Sequence, residues 1–311
     1  MSSERGRAVY LQLQRLAKAR GIATDLLLNR YAVERFLYRL SRSQYRDRYV
    51  LKGASLFAAW VDQPYRATND LDLAGFGASD DETIIATFRD IARGGDEGDD
   101  DDGLVFLVDN LTVSAIRHDE EYGGVCVRIP AHLHTARPVF QIDIAFGDVI
   151  TPLADDITYP TLLPLPAPHL RAYPRETVVA EKWEAMVSLG AINSRMKDFF
   201  DVWVLARDFA FVGATLADAI AATFTRRGTA LPTEPPVALT VFADDPTKQQ
   251  QWRAFLQRGN VAGETATLAE VIAAITPFLM EPTRALTMGQ PFARHWPSGG
   301  PWQETAEEHK A

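Results

Sequence analysis

Apolar residues recur at helical spacing over about 6–20 and 24–41, with Thr24 placed to cap the second run, and again through "ASLFAAWV" at 54–61, directly behind Lys52 and Gly53. Two-residue alternation takes over at 68–74, 104–116, 123–130 and 138–146, interrupted by a helical pattern near 80–93, and predicts strands. The stretch "YPTLLPLPAPHLRAYPRE" (159–176) breaks both periods and marks an expected boundary. Helical spacing returns near 175–190 and 195–209, then near 215–226, 246–258 and 266–281. From about 283 the chain mixes Pro, Gly and Glu with two tryptophans and reads as a partly ordered tail. No internal repeat is visible. This order predicts a mixed α+β fold: a sheet domain with N-terminal helices over 1–160, a helical domain over 161–285 and a tail over 286–311.

Composition narrows the class. At 311 residues, with 47% hydrophobic and 23% charged positions, the chain has the makings of a sizeable core, and wholesale disorder is excluded. The one cysteine, Cys126 in "GGVCVRIP", has no partner for an internal disulfide and reads as a buried apolar position. The N-terminal helix lacks the continuous apolar core of a signal peptide, and no stretch is long and apolar enough to span a bilayer, so a cytoplasmic protein without membrane contact is expected.

Charge is unevenly spread. Residues 1–52 carry 12 Lys or Arg against 4 Asp or Glu, a balance of +8, while the rest of the chain carries −17. Arg30, Arg35, Arg39, Arg42, Arg46 and Arg48 make this the end suited to a polyanion, and Arg39, Arg42 and Arg46 are the candidate RNA contacts. The other reading is a solvated helix face balanced by acidic groups elsewhere in the fold. The run "GGDEGDDDDG" (94–103) is too densely like-charged to pack and reads as a flexible loop.

Candidate chemistry begins in "RATNDLDLAGFG" (66–77). On a strand, Asp70 and Asp72 project from one face while Leu71 and Leu73 enter the core. Two carboxylates side by side need a cation or basic partners, although a bare D-x-D is equally compatible with a solvated edge strand. Two further stretches sharpen the question. In "YVLKGASLFAAW" (49–60), Lys52, Gly53 and Ser55 precede a predicted helix start, where small residues and backbone amides favour a phosphate; a glycine turn capping an amphipathic helix is the alternative. In "PVFQIDIAFGD" (138–148), Asp143 lies between two isoleucines, a costly place for a carboxylate without a partner. Three strand carboxylates are the minimum set for a centre of two Mg²⁺ ions that assists phosphoryl transfer, with Mn²⁺ as a substitute. His132 and His134 form an H-x-H pair without an evident third ligand and read as a loop or edge feature. Phe199, Phe200, Trp203 and Phe209 fall at near-helical spacing and read as core.

The series Lys52-Gly53-Ala54-Ser55, Arg66-x-Thr-x-Asp70-Leu-Asp72, Ile-Asp143-Ile, "TVVAEKWEAM" with Glu181 and Lys182, and "SRMKDFFDVWVL" with Asp198 and Asp201 resembles the AbiEii/AbiGii-type toxins. These are nucleotidyltransferases related to the polymerase-β superfamily and include the MenT toxins. The resemblance spans about residues 24–210, and departs at Ala54, where many relatives carry a second glycine. It implies a polymerase-β-like sheet domain whose active site is completed by the helical domain. Asp70, Asp72 and Asp143 would bind metal, and Lys52, Gly53, Ser55, Arg66 and Lys182 would bind the nucleotide. Asp198 and Asp201 would orient the nucleotide or Lys182, or assist the acceptor, a cap and ion-pair role with Arg195 and Lys197 being the alternative. For Lys182 the alternative is a surface ion pair with Glu181 or Glu184. The family's reaction implies an NTP donor, a tRNA 3′ end or other RNA as acceptor, and a cognate antitoxin. Transfer to a protein hydroxyl, or a catalytically silent nucleotide- or RNA-binding regulator, are the other readings, and joint retention of Asp70, Asp72 and Asp143 opposes the last.

Overall fold

The structure is a computed structural model that describes residues 4–61, 70–94, 101–116, 124–258, 261 and 265–304. The chain divides into two compact units, Met1–Asp148 with Ala154–Tyr173, and Val149–Leu153 with Pro174–Ala311. The division therefore lies at Tyr173 rather than near 160, and the tail belongs to the second unit.

The first unit contains helices α1 (Glu4–Arg20), α2 (Thr24–Arg42), α3 (Phe57–Trp60) and α4 (Asp81–Arg93). Its strands are β1 (Tyr49–Lys52), β2 (Asp70–Gly75), β3 (Val105–Phe106), β4 (Thr112–Ile116), β5 (Gly124–His132), β6 (Val139–Phe146), β7 (Asp155–Thr158) and β8 (His169–Ala172). They form one mixed sheet in the order β3-β5-β6-β2-β1-β8-β7, with β4 also on β5. β2 is parallel to β6, β8 is parallel to β1, and the other pairs are antiparallel. Alternation sorts the side chains. Leu71, Leu73, Ile142, Ile144 and Phe140 are buried on the face where Phe140 meets Phe36 of α2, which in turn stacks on Phe88 of α4 at 5.7 Å. The intervening positions, with Asp70, Asp72 and Asp143 among them, take the other face.

Several expected elements differ in detail. Thr24 is the first helical residue and caps nothing, the preceding residue being Ala23. The segment 54–61 is one 3-10 turn, Gly53–Leu56, followed by the four-residue α3. The strand expected over 104–116 is broken by a 3-10 turn at Val108–Asn110. Within the proline-rich stretch, β8 pairs with β1 through Leu51 and Ala172, and the Tyr173 amide donates to the Leu51 carbonyl at 2.9 Å, which ties the stretch to the sheet.

The arginines of α2 turn inward. Arg35 Nε lies 3.2 Å from Asp102 Oδ2, and Arg39 donates to the carbonyls of Ala92 at 2.7 Å and Leu104 at 3.1 Å while reaching Asp102. Arg35, Arg39 and Asp102 are buried, so the last part of the run expected to be a flexible loop supplies an interior counterion; residues 95–100 lie outside the described residues. Arg39 is thereby removed from any RNA-gripping surface. Arg46 is paired with Asp47 and Asp156 and donates to the His169 carbonyl, whereas Arg42 is exposed. Balance by acidic neighbours is the reading that holds for Arg35, Arg39 and Arg46.

Beside them, Glu34 is buried, and its carboxyl accepts the Leu162 amide at 2.7 Å. Burial raises its pKa from 4.5 to about 7 against the opposing pull of that hydrogen bond and of Arg35. A carboxyl with a folded pKa above its unfolded one stabilises fully below the unfolded value, and that contribution is lost as pH rises through the folded value. Between pH 5 and 8 the native chain should therefore lose up to about 3 kcal/mol relative to Glu34→Gln. Urea titrations of both proteins at the two pH values measure the difference, and parallel pH dependence would contradict it.

The second unit contains α5 (Arg175–Leu189), α6 (Met196–Asp208), α7 (Gly213–Arg226), α8 (Val237–Thr240), α9 (Pro246–Arg258) and α10 (Leu268–Thr287), with a small sheet of β9 (Phe211–Val212), β10 (Arg294–Trp296) and β11 (Gln303–Glu304). α10 starts at a capping box between Thr267 and Glu270. The expected partly ordered tail is packed as far as residue 304. Trp296 and Trp302 are buried against Phe278, and the Trp296 indole donates to the Ala206 carbonyl at 2.7 Å. Phe199 and Phe200 are core residues, as their spacing predicts. Among the described residues no helix is long and apolar enough to cross a membrane.

Candidate active site

Register brings the strand carboxylates together. Asp72 on β2 is the direct neighbour of Asp143 on β6, and Asp70 sits beside Gln141. On the other side of β2, Lys52 is the cross-strand partner of Asp72, and beyond β6 Cys126 is the partner of Asp143. Cross-strand partners share a face, so Lys52, Asp70, Asp72, Gln141, Asp143, Cys126 and Arg128 all belong to the face opposite the aromatic core. Asp143 is anchored there. Gln141 Nε2 donates to Asp143 Oδ1 at 2.8 Å, and Arg128 donates to Gln141 Oε1 at 3.3 Å. The Cys126 thiol is buried beside it, and its pKa is pushed up by burial first and then by the Asp143 charge.

Gly53 is dictated by contact. It has φ +70°, and a Cβ there would overlap the Asp72 carboxylate oxygen and lie 2.6 Å from Asp72 Cγ. The left-handed backbone and the absent side chain together let Asp72 stand upright on the sheet. Gly53→Ala should displace that carboxylate, lower nucleotide transfer at least about tenfold, and cost about 1–2 kcal/mol in stability from the backbone alone. Transfer rates and thermal melting of the variant test this; an unchanged rate would contradict it.

Other expected nucleotide ligands are placed differently. Ser55 is buried and its hydroxyl donates to the Asp70 carbonyl at 3.4 Å, bracing the start of β2 rather than offering a phosphate ligand. The elements that follow Gly53 are too short to supply the helix dipole expected at that point. Lys52 Nζ is 2.6 Å from Asp148 Oδ2, and the Tyr173 hydroxyl donates to the same oxygen at 2.8 Å. Arg66 lies outside the described residues. Asp148 and Tyr173 are functional candidates that pattern reading missed; the signal available was the "FGD" that follows the Asp143 strand.

Mg²⁺ takes oxygen ligands and commonly binds through one or two carboxylates, the rest of its shell being water and substrate phosphate. The Asp72–Asp143 pair, with Asp70 two positions along the same strand face, is a donor set of that kind. Among the described residues no three His, Cys, Asp or Glu side chains form a ready-made metal cluster. His132 and His134 stand at the end of β5 and in the tight turn after it, with the His134 ring 5.5 Å from Tyr10.

The second unit holds its own charged cluster. Lys182 Nζ on α5 is 2.8 Å from both Asp198 Oδ1 and Asp201 Oδ2 on α6, and Arg195 Nε is 2.8 Å from Asp198 Oδ2. Both aspartates are fully enclosed and Lys182 is 12% exposed, so this is an interior ion-pair network rather than a surface pair. Glu181 and Glu184 turn instead to Arg227, at 3.4 and 2.7 Å. The i, i+3 spacing of Asp198 and Asp201 puts both on the side of α6 that meets Lys182.

The family described as nucleotidyl transferase AbiEii toxin, type IV toxin–antitoxin system, matches residues 35–274, well over half of the chain. Among solved structures, JHP933 from Helicobacter pylori shares 11% identity over 93% of this chain and 97% of that one, with a TM-score of 0.46. Another solved structure, described as a nucleotidyltransferase of provisional assignment from Helicobacter pylori, shares 12% identity over 92% of this chain and 96% of that one, with a TM-score of 0.43. A search of curated proteins found no match.

Proposed function

The chain belongs to the AbiEii nucleotidyl transferase toxin family, and from that premise we propose that it transfers a nucleotide from an NTP to RNA, at the 3′ end of tRNA, and so blocks translation. The family's place in a type IV toxin–antitoxin system implies a nucleotide substrate and an antitoxin partner. The observation that carries the reading is the juxtaposition of Asp72 and Asp143 on one sheet face, with Gly53 stripped of a side chain beside them. Asp70, Asp72 and Asp143 would hold Mg²⁺, or Mn²⁺ in its place, and the ion would supply charge neutralisation at the triphosphate. Lys52 and Arg66 offset phosphate charge as it develops, in a reaction where positioning and electrostatics do most of the catalysis. Gln141 and Arg128 hold Asp143 in place.

RNA as acceptor rests on the family's reaction, since much of the +8 balance of residues 1–52 is taken up by Asp102, Asp148 and Asp156. Of the three arginines expected to grip it, Arg42 is the exposed one. The 3′ end is tested by offering each α-labelled NTP with Mg²⁺ and either intact total tRNA or tRNA whose terminal diol has been destroyed by periodate. Labelling of intact tRNA alone supports the proposal. Equal labelling of both moves the transfer away from the 3′ hydroxyl.

A further inference from the structure

Lys52, Asp148 and Tyr173 come from three separate stretches and meet at one carboxylate oxygen. Lys52 ends β1, Asp148 follows β6, and Tyr173 follows β8. Gly147, at φ +85°, turns the chain after β6 and brings Asp148 within 2.6 Å of the Lys52 ammonium. Tyr173 is itself fixed: its ring is buried, its amide is bonded to the Leu51 carbonyl, and its hydroxyl reaches Asp148 at 2.8 Å. The ammonium also lies 5.1 Å from the centre of the Tyr173 ring. Since Lys52 and Asp72 are cross-strand partners, this clamp acts on the face that bears Asp72 and Asp143.

A lysine is a point charge on a flexible four-carbon stem, and its value to an anionic ligand depends on holding the charge in place before the ligand arrives. An exposed pair would not do this, but Lys52 and Asp148 are each about seven-eighths buried along their side chains and share a short charge-assisted bond. We infer that Asp148 is a positioning residue for Lys52, with the Tyr173 hydroxyl as its second anchor, and that the trio sets the ammonium over the aspartate face to receive the polyphosphate of a nucleoside triphosphate. The inference rests on the nucleotide-transfer reading above.

Positioning and simple charge make opposite forecasts. Removing a carboxylate from the neighbourhood of an anionic ligand should tighten binding if only net charge counts, and should loosen it if the carboxylate holds the cation that binds. The test measures affinity of the full-length protein for each NTP with Mg²⁺ and no acceptor, together with KM and kcat for transfer. The proteins compared are wild type, Lys52→Ala, Asp148→Asn, Tyr173→Phe and the Lys52→Ala/Asp148→Asn double variant. We expect Lys52→Ala to weaken NTP binding about tenfold or more and Asp148→Asn by a similar order, with the loss appearing chiefly in KM. The double variant should bind no worse than Lys52→Ala, because a carboxylate with no amine to hold has nothing further to contribute. Should Asp148→Asn fail to fold, Tyr173→Phe carries the test, weakening NTP binding in the wild-type background and not beside Lys52→Ala. Wild-type or tighter affinity in Asp148→Asn while Lys52→Ala is impaired overturns the positioning role and leaves Lys52 as a ligand. Additive losses in the double variant overturn it as well, since Asp148 would then act apart from Lys52. Wild-type affinity in Lys52→Ala overturns both the nucleotide role of Lys52 and the inference built on it.

Discussion

Asp72→Asn should abolish nucleotide transfer, and with it growth inhibition on expression, while the chain stays folded. The substitution keeps the size of the side chain and removes one charge from the cross-strand pair with Asp143. Asp72 faces the like charge of Asp143 on one side and the opposite charge of Lys52 on the other, so the melting temperature of the unliganded variant should change little. Transfer should fall by at least about 100-fold, the order expected when a group that stabilises developing charge is lost. The combination is diagnostic: a structural role for Asp72 would lower stability and spare the rate in whatever remains folded. Full transfer by a folded Asp72→Asn protein would falsify the assignment of the sheet face as the catalytic one.

The second large effect is expected at Lys182, and here stability and activity must be separated. Lys182→Met leaves Asp198 and Asp201 enclosed with one of their cations gone, although Arg195 still accompanies Asp198. Breaking a buried pair in this way costs about 3–5 kcal/mol, far more than the roughly 0–1 kcal/mol of a surface pair. Denaturant unfolding of Lys182→Met should show that loss. Neutralising the aspartates as well, in Lys182→Met with Asp198→Asn and Asp201→Asn, should recover most of the stability, because uncharged partners of similar shape no longer suffer uncompensated burial. Transfer should stay at least about tenfold down in the triple variant if the lysine meets the triphosphate. Recovery of transfer along with stability would assign the cluster a structural role alone.

The strands that carry the carboxylates were legible because the core side of the sheet is written in their alternate positions: Leu71 and Leu73 on one strand, Ile142 and Ile144 on its neighbour. Placing Asp72 beside Asp143 needed the register, which no local pattern contains, and the glycine at 53 makes full sense only once Asp72 is seen against it. β1 has only four residues between a helix and a glycine turn, β8 lies in a proline-rich stretch and pairs with the distant β1, and β7 is a four-residue strand defined by its antiparallel pairing with β8. The same distance in sequence hid the fate of Arg39, whose counterion Asp102 sits in a run of acidic residues that reads as a flexible loop. The C-terminal tryptophans lie in a stretch whose composition suggests coil, yet their rings close the aromatic cluster around Phe278. For Lys182, Asp198 and Asp201, spacing gave the shared helix face, whereas their enclosure depends on packing between α5 and α6.

Nucleotide transfer onto RNA is the reaction assigned to the aspartate face. It is tested most directly by incubating the purified protein with each α-labelled NTP, Mg²⁺, total tRNA and cell protein, in parallel with Asp143→Asn, and treating the products with ribonuclease or protease. The expected product is label that ribonuclease removes, protease leaves, and Asp143→Asn fails to form. Label that follows the protein fraction, or that Asp143→Asn forms as well as the native chain does, would contradict it.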